Sequence, residues 1–167
     1  MKEIFSRRSI RKYQDKPIED ELIQKLLRAA MYAPSAGNEK PWQFIVIKDR
    51  DKLNEITTFH PYTQMLKEAP LAILVCADVS NLKYNGVFWV QDIAACTQNI
   101  LLEGKHLGLG TCWCGVYPSE DKETKLREMF NIPENFIPTS LIAVGYPAEE
   151  REVRERYNPD RVHYEKW

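Results

Sequence analysis

Arg7, Arg8 and Ser9 stand together in the stretch SRRSIRKY, residues 6–13. Guanidinium groups bind phosphate through paired N–H donors, and a serine hydroxyl between them adds one more. Each hydrogen bond to a charged group contributes about 1.5–3 kcal/mol. Three such contacts hold a phosphate before any other part of a ligand is touched. A solvated basic helix end is the plain alternative for the same residues. The loop APSAGNEKPWQF (33–44) is the second candidate. Its Ser35, Ala36 and Asn38 are small or polar, Gly37 lets the backbone approach a ligand, and Asn38 can donate and accept at once. By itself it reads as a helix-to-strand connection. The third is GLGTCWCG (108–115). A dinucleotide fingerprint needs G-x-G-x-x-G; Gly108 and Gly110 fit, but Trp113 stands where the third glycine belongs, so a Rossmann site is excluded. What remains is a glycine-rich approach to a strand, where backbone can face something flat. In VRERY (153–157), Arg154 and Arg156 either extend an anion site or pair with Glu152 and Glu155.

Hydrolytic and metal chemistry find little support. The sequence has no G-x-S-x-G and no H-E-x-x-H. His60, His106 and His163 are scattered and read as surface or turn residues. Cys76, Cys96, Cys112 and Cys114 form no C-x-x-C and no paired Cys/His spacing. Cys76 and Cys96 lie in apolar runs and read as buried free thiols. No catalytic side chain and no metal site are expected. Phosphate-ready arginines without a nucleophile suggest that a cofactor carries the chemistry.

The elements that must position these groups follow from hydrophobic periodicity. At 167 residues a single domain, 1–167, is expected. Hydrophobic residues at 44% fill a core and charged residues at 28% solvate a surface. A net charge of -1 argues against a nucleic-acid partner. Residues 1–12 lack a signal-peptide pattern and no apolar run approaches membrane-spanning length, so a cytoplasmic chain without a membrane partner is expected. The free thiols suit a reducing compartment. The spacing of Leu22, Leu26, Ala29 and Ala30 predicts a helix over 19–32, which Pro34 ends. WQFIVI (42–47) reads as a strand, and 51–59 and 60–70 as two short helices, the second after a turn. LAILVCA (71–77) is apolar throughout, as a strand covered on both faces must be. Residues 84–108 predict the longest helix, apolar on two faces and so a central helix or a subunit contact. A strand at 110–116, a charged helix over 119–130 with Ser119 as N-cap, and a strand at 137–146 complete the pattern. Such alternation permits an α/β or an α+β sheet domain.

Residues 147–167 are unlike the rest. Eleven of these 21 residues are Asp, Glu, Lys or Arg, so the segment cannot stay folded alone. It still carries Tyr157, Tyr164 and Trp167. A disordered tail competes with an arm that docks its aromatics on another surface. The arm is favoured, because a solvated tail has no use for three large aromatics.

The four motifs together resemble the nitroreductase family of FMN-dependent oxidoreductases. The resemblance spans nearly the whole chain and rests on RRSIRKY, APSAGNEKPWQF, APLAILVCAD, GLGTCWCG and the ending VGYPAEE…RYNPDRVHYEKW, in that order. It implies an α+β fold with a central, mainly antiparallel sheet flanked by helices. It also implies an intertwined homodimer with FMN at the interface. Arg7, Arg8 and Ser9 match positions on the FMN phosphate, ribityl chain and ring edge. Pro34, Ser35, Ala36 and Asn38 match a loop that reaches FMN from the other subunit. Trp113, Cys114, Gly115 and Val116 match the strand end beside the flavin ring, and Arg154 and Arg156 a late basic pair on the phosphate. Gln64 and Lys67 fall near a polar stretch lining the same site. The arm would wrap the partner subunit and deliver Arg154 and Arg156. The implied activity passes electrons from NADH or NADPH to nitroaromatic, quinone or similar small-molecule acceptors by a ping-pong mechanism. The alternatives are a reductive dehalogenase or flavin-modifying enzyme on the same fold, or a flavin-binding regulator without turnover. Longer family members carry extra helices over the substrate pocket, for which this chain has little room. Cys112 and Cys114 read as strand residues, with Cys114 the one that a flavin beside it would make redox-sensitive.

Overall fold

Leu71–Asp78 (β2) is buried at every position through Ala77. In the computed structural model, which describes residues 2–167, the reason is its place in the middle of a sheet. Trp42–Ile47 (β1) pairs with it on one side and Phe136–Gly145 (β4) on the other, both antiparallel. Gly110–Gly115 (β3) completes the order β1-β2-β4-β3 as an edge strand, again antiparallel. Alternation along β2 sends Ala72, Leu74 and Cys76 to one face and Leu71, Ile73, Val75 and Ala77 to the other. Each fully buried Leu or Ile here contributes about 1.5–3 kcal/mol.

Helices cover both faces. Asp20–Met31 (α2) and Trp89–His106 (α4) pack on the face of Ile73 and Val75. Asn99 Nδ2 donates to the Ala29 carbonyl at 3.0 Å between them. Arg50–Phe59 (α3) and Glu120–Phe130 (α5) cover the face of Leu74. The expected α+β architecture is present, with an antiparallel sheet between helices. The structure adds a first helix, Lys2–Ser6 (α1), and shortens the longest one. Tyr84, Asn85 and Gly86 all have φ between 52° and 68°, left-handed backbone that α-helix cannot include, so α4 begins only at Trp89. Pro61–Lys67 forms 3-10 turns rather than an α-helix. Ser119 occupies the N-cap position of α5, although its side chain caps nothing. Among the described residues, no helix is long and apolar enough to cross a membrane.

Residues 7–14 run in extended form along the outer edge of β3. Ile10 N–H donates to the Thr111 carbonyl at 3.0 Å, and Gln14 N–H to that of Tyr146 at 2.9 Å. Tyr13 lies flat on Gly145, where a Cβ would come within 2.6 Å of its ring. Beyond Val153 the chain leaves this body. Tyr157, Tyr164 and Trp167 are 70%, 82% and 102% exposed, and Trp167 stacks only on His163.

Candidate functional site

Pairing along β3 decides which of its backbone groups face outward. Thr111 gives its carbonyl to Ile10, and Val116 gives its N–H to Thr139 at 3.1 Å. Because antiparallel pairs alternate, Cys112 and Cys114 bond across to β4, while Trp113 and Gly115 turn their backbone groups to the open edge. A cavity of about 600 Å³ lies at this edge, within the range of small-molecule sites. Trp113, Cys114, Gly115 and Gln64 line it as expected, joined by Arg11, Lys12, Tyr62, Met65, Glu68 and Cys112.

The facing wall is held from behind. Arg50 donates to the carbonyls of Leu66 and Ala69 at 2.5 and 2.6 Å, pinning the turn that carries Tyr62, Gln64 and Met65. Gln64 spends an amide donor on the Thr57 carbonyl at 2.9 Å. His60 Nε2 meets the Gly115 carbonyl at 2.9 Å, so Nε2 carries the proton in the neutral ring. Burial pulls its pKa below the ordinary histidine value, and Lys122 adds to this against the Gly115 hydrogen bond. His60 sits at the turn between α3 and Pro61, as one of the two expected readings had it, but it is a buried structural group and not a surface one.

The thiols also divide. Burial pushes Cys76 and Cys96 up to about 12. Cys112 and Cys114 act on each other: the neighbouring thiol, ahead of Arg11 and Arg7, holds Cys112 down at about 7, and Cys112 together with burial drives Cys114 upward.

A second cavity of about 320 Å³ lies along the same N-terminal segment, lined by Arg7, Arg8, Lys105 and Arg151 among others. Arg8 is committed only in part: its buried Nη2 has no partner among the described residues. Nη1 donates to the Phe5 and Arg7 carbonyls at 3.0 and 2.7 Å, and Nε to Glu152 at 2.9 Å, tying the arm to α1. Arg7 differs: burial, then the charges of Arg156 and Arg8, pull its pKa below the usual arginine value. The fold thus gathers like charges at Arg7, an arrangement that an anion would relieve. Arg154 instead pairs with Glu152 at 3.0 Å.

Pro34, Ser35, Ala36 and Asn38 line neither cavity. Their loop is built for precision nonetheless. Gly37, Asn38 and Lys40 have φ of 54–57°. Ala36 N–H donates to Asp92 Oδ1 at 2.9 Å, and Ser35 Oγ accepts from Lys40 N–H at 2.9 Å, leaving the serine proton to donate elsewhere. Lys67 is exposed and lines neither cavity, and Val116 is buried with its N–H already engaged.

Sequence reading passed over Arg11, Lys12, Tyr62, Met65 and Glu68. Arg11 had a signal, since an extended stretch that puts Arg7 and Ser9 on one side puts Arg11 there too. The others had none, because a tertiary contact brings the Pro61–Lys67 turn to β3.

The sequence model of the nitroreductase family matches residues 4–60 and 60–146. The chain belongs to the nitroreductase family. A Methanothermobacter thermautotrophicus protein provisionally named an NADH dehydrogenase/NAD(P)H nitroreductase is 54% identical over 98% of this chain and 85% of its own. Among solved structures, a Clostridium acetobutylicum protein provisionally named an NADH oxidase superposes with a TM-score of 0.94. It is 47% identical and 99% of both chains are covered. An FMN-dependent nitroreductase of Clostridium difficile gives 0.90 at 31% identity, covering 99% of this chain and 98% of its own. Within this nitroreductase-family chain, the edge of β3 and the Arg7 cluster are the two features suited to a flat ring joined to a phosphate.

Proposed function

We propose that the chain is an FMN-dependent oxidoreductase that takes electrons from NADH or NADPH and passes them to nitroaromatic, quinone or similar small acceptors in alternating half-reactions. One observation carries the reading: along the N-terminal segment, Arg7, Arg8 and Arg151 line one cavity, and the outward backbone of Trp113 and Gly115, with Arg11 and Lys12, lines a second of about 600 Å³. Arg7 and Arg156, with Ser9, hold the phosphate. The N–H groups of Trp113 and Gly115 face the ring edge as hydrogen-bond donors. FMN, when bound, supplies the hydride-accepting and electron-passing chemistry that no side chain here offers. Arg11 places positive charge in the same cavity and lowers the cost of the negative charge that arrives with electrons. Trp113 and Tyr62 are exposed aromatic walls for a donor or acceptor entering in turn.

Two copies complete the site in this reading. Ser35 and Asn38, which line neither cavity of their own chain, serve the cavity of a partner. The arm, whose aromatics meet nothing on its own body, docks on that partner. The names and cofactor of the relatives support the reading, as does the pattern of engaged and outward-facing groups.

The test is the absorbance of the purified protein. A flavin spectrum that bleaches with NADH or NADPH under nitrogen and returns on adding menadione or nitrofurazone is expected. A colourless protein that takes up no FMN refutes the proposal. Bleaching that no acceptor reverses favours a regulator without turnover.

A further inference from the structure

Cys112 and Cys114 lie two residues apart on β3, so both side chains leave the same face of the strand. Both line the 600 Å³ cavity, as does Met65. Cys114 Sγ lies 3.3 Å from the Tyr62 carbonyl, on the turn that also carries Met65. Arg11 lines the same cavity. Two sulfurs held side by side at a cavity wall exceed what strand packing needs; Cys76 and Cys96 show the ordinary case of single thiols on separate elements.

We propose that Cys112 and Cys114 form a two-coordinate site for a soft monovalent cation of the Cu(I) and Ag(I) class, with the Met65 thioether as a neighbouring soft donor. Ligand type decides the class: thiolates and thioethers select Cu(I), whereas carbonyl and carboxylate oxygens suit Mg²⁺ or Ca²⁺. Ligand number decides against zinc, whose structural sites need four ligands. Among the described residues no group of three or more His, Cys, Asp or Glu side chains is placed to hold a metal.

Distance decides against a disulfide. Alternate residues of a strand have Cα atoms about 6.4–6.8 Å apart, the upper limit of a disulfide, whose usual span is about 5.5–6 Å. A metal between the sulfurs lets them stand about 4.6 Å apart, taking ~2.3 Å for each metal–thiolate bond. Binding transfers both thiol protons to solvent and leaves a dithiolate–cation unit of charge -1. Arg11, in the same cavity, offsets that charge.

Anaerobic titration of the purified protein with Cu(I), against a chromogenic Cu(I) chelator, tests the site. One equivalent per chain withheld from the chelator is expected. Cys112→Ser and Cys114→Ser should each weaken retention at least 100-fold, whereas Cys76→Ser and Cys96→Ser should change it less than twofold. Folding of each variant is checked by circular dichroism. If the Ser variants unfold, X-ray absorption of the copper-loaded wild type answers instead, with two or three sulfur neighbours expected. Failure to withhold copper overturns the proposal, as does retention that survives both substitutions or a shell of nitrogen and oxygen. The titration does not depend on flavin. A yellow protein that withholds no copper refutes this site alone, and a colourless one that withholds it refutes the FMN reading alone.

Discussion

Asp92 Oδ1 accepts the Ala36 N–H at 2.9 Å, tying the first turn of α4 to the loop ahead of β1. The carboxylate is buried and its Oδ2 has no partner among the described residues. Asp92→Ala leaves the Ala36 N–H without its acceptor, a cost of about 1–3 kcal/mol. FMN affinity, measured by fluorescence titration, should fall about tenfold because Ser35 and Asn38 lose their placement. Asp92→Asn keeps an acceptor oxygen and should stay within about threefold of wild type. Equal affinities for all three proteins would remove the loop from the site.

The two N-terminal arginines should separate. Arg7→Ala removes a charge-assisted contact worth about 1.5–3 kcal/mol, about 10- to 150-fold in FMN affinity. The loss should shrink at high salt, which already screens the exposed part of the cluster. Arg8→Ala frees three backbone carbonyls and releases Glu152, so its main effect should be on the arm. Protease sensitivity after residue 150 reads that effect, and an Arg8→Ala protein with an unaltered arm would contradict it.

Deleting 150–167 removes Arg156 and the three exposed aromatics together. Sedimentation should show a weaker dimer, and the flavin absorbance per chain should drop. A truncated protein that stays dimeric and yellow would leave the arm without its proposed role.

Stability should also depend on pH through His60. Its folded pKa lies below the unfolded value, so between the two the unfolded chain binds more protons. The contribution is complete above about pH 6.5 and is lost as pH falls toward the folded pKa. Urea denaturation at pH 7.5 and 5.5 should show the wild type losing stability on acidification. His60→Gln should be less stable at pH 7.5 but lose less between the two pH values.

Much of this was legible locally. LAILVCA announced a strand covered on both faces, and β2 is one of the sheet's two interior strands. Pro34 and the small residues after it announced a break before β1. The start of α4 was legible only in part: Asn85-Gly86 is a dipeptide that favours left-handed turns, but nothing in Tyr84 announces its left-handed φ. The site shows the same division. The arginines, the loop and the end of β3 were visible as motifs, but their commitments were not.

The sequence by itself determined the elements, the nitroreductase-family pattern and the residue types available for an anion and a flat ring, because these depend on periodicity and order along the chain. Only the tertiary structure decided which groups are spent. It gave Arg8 to the carbonyls of α1 and the arm, Val116 to Thr139 and Gln64 to Thr57. It gathered Arg7 with Arg156, 149 positions later, and set the Cys112–Cys114 pair against the turn that carries Met65. A hydrogen bond uses a donor once, and which acceptor reaches it depends on contacts between segments far apart in the chain.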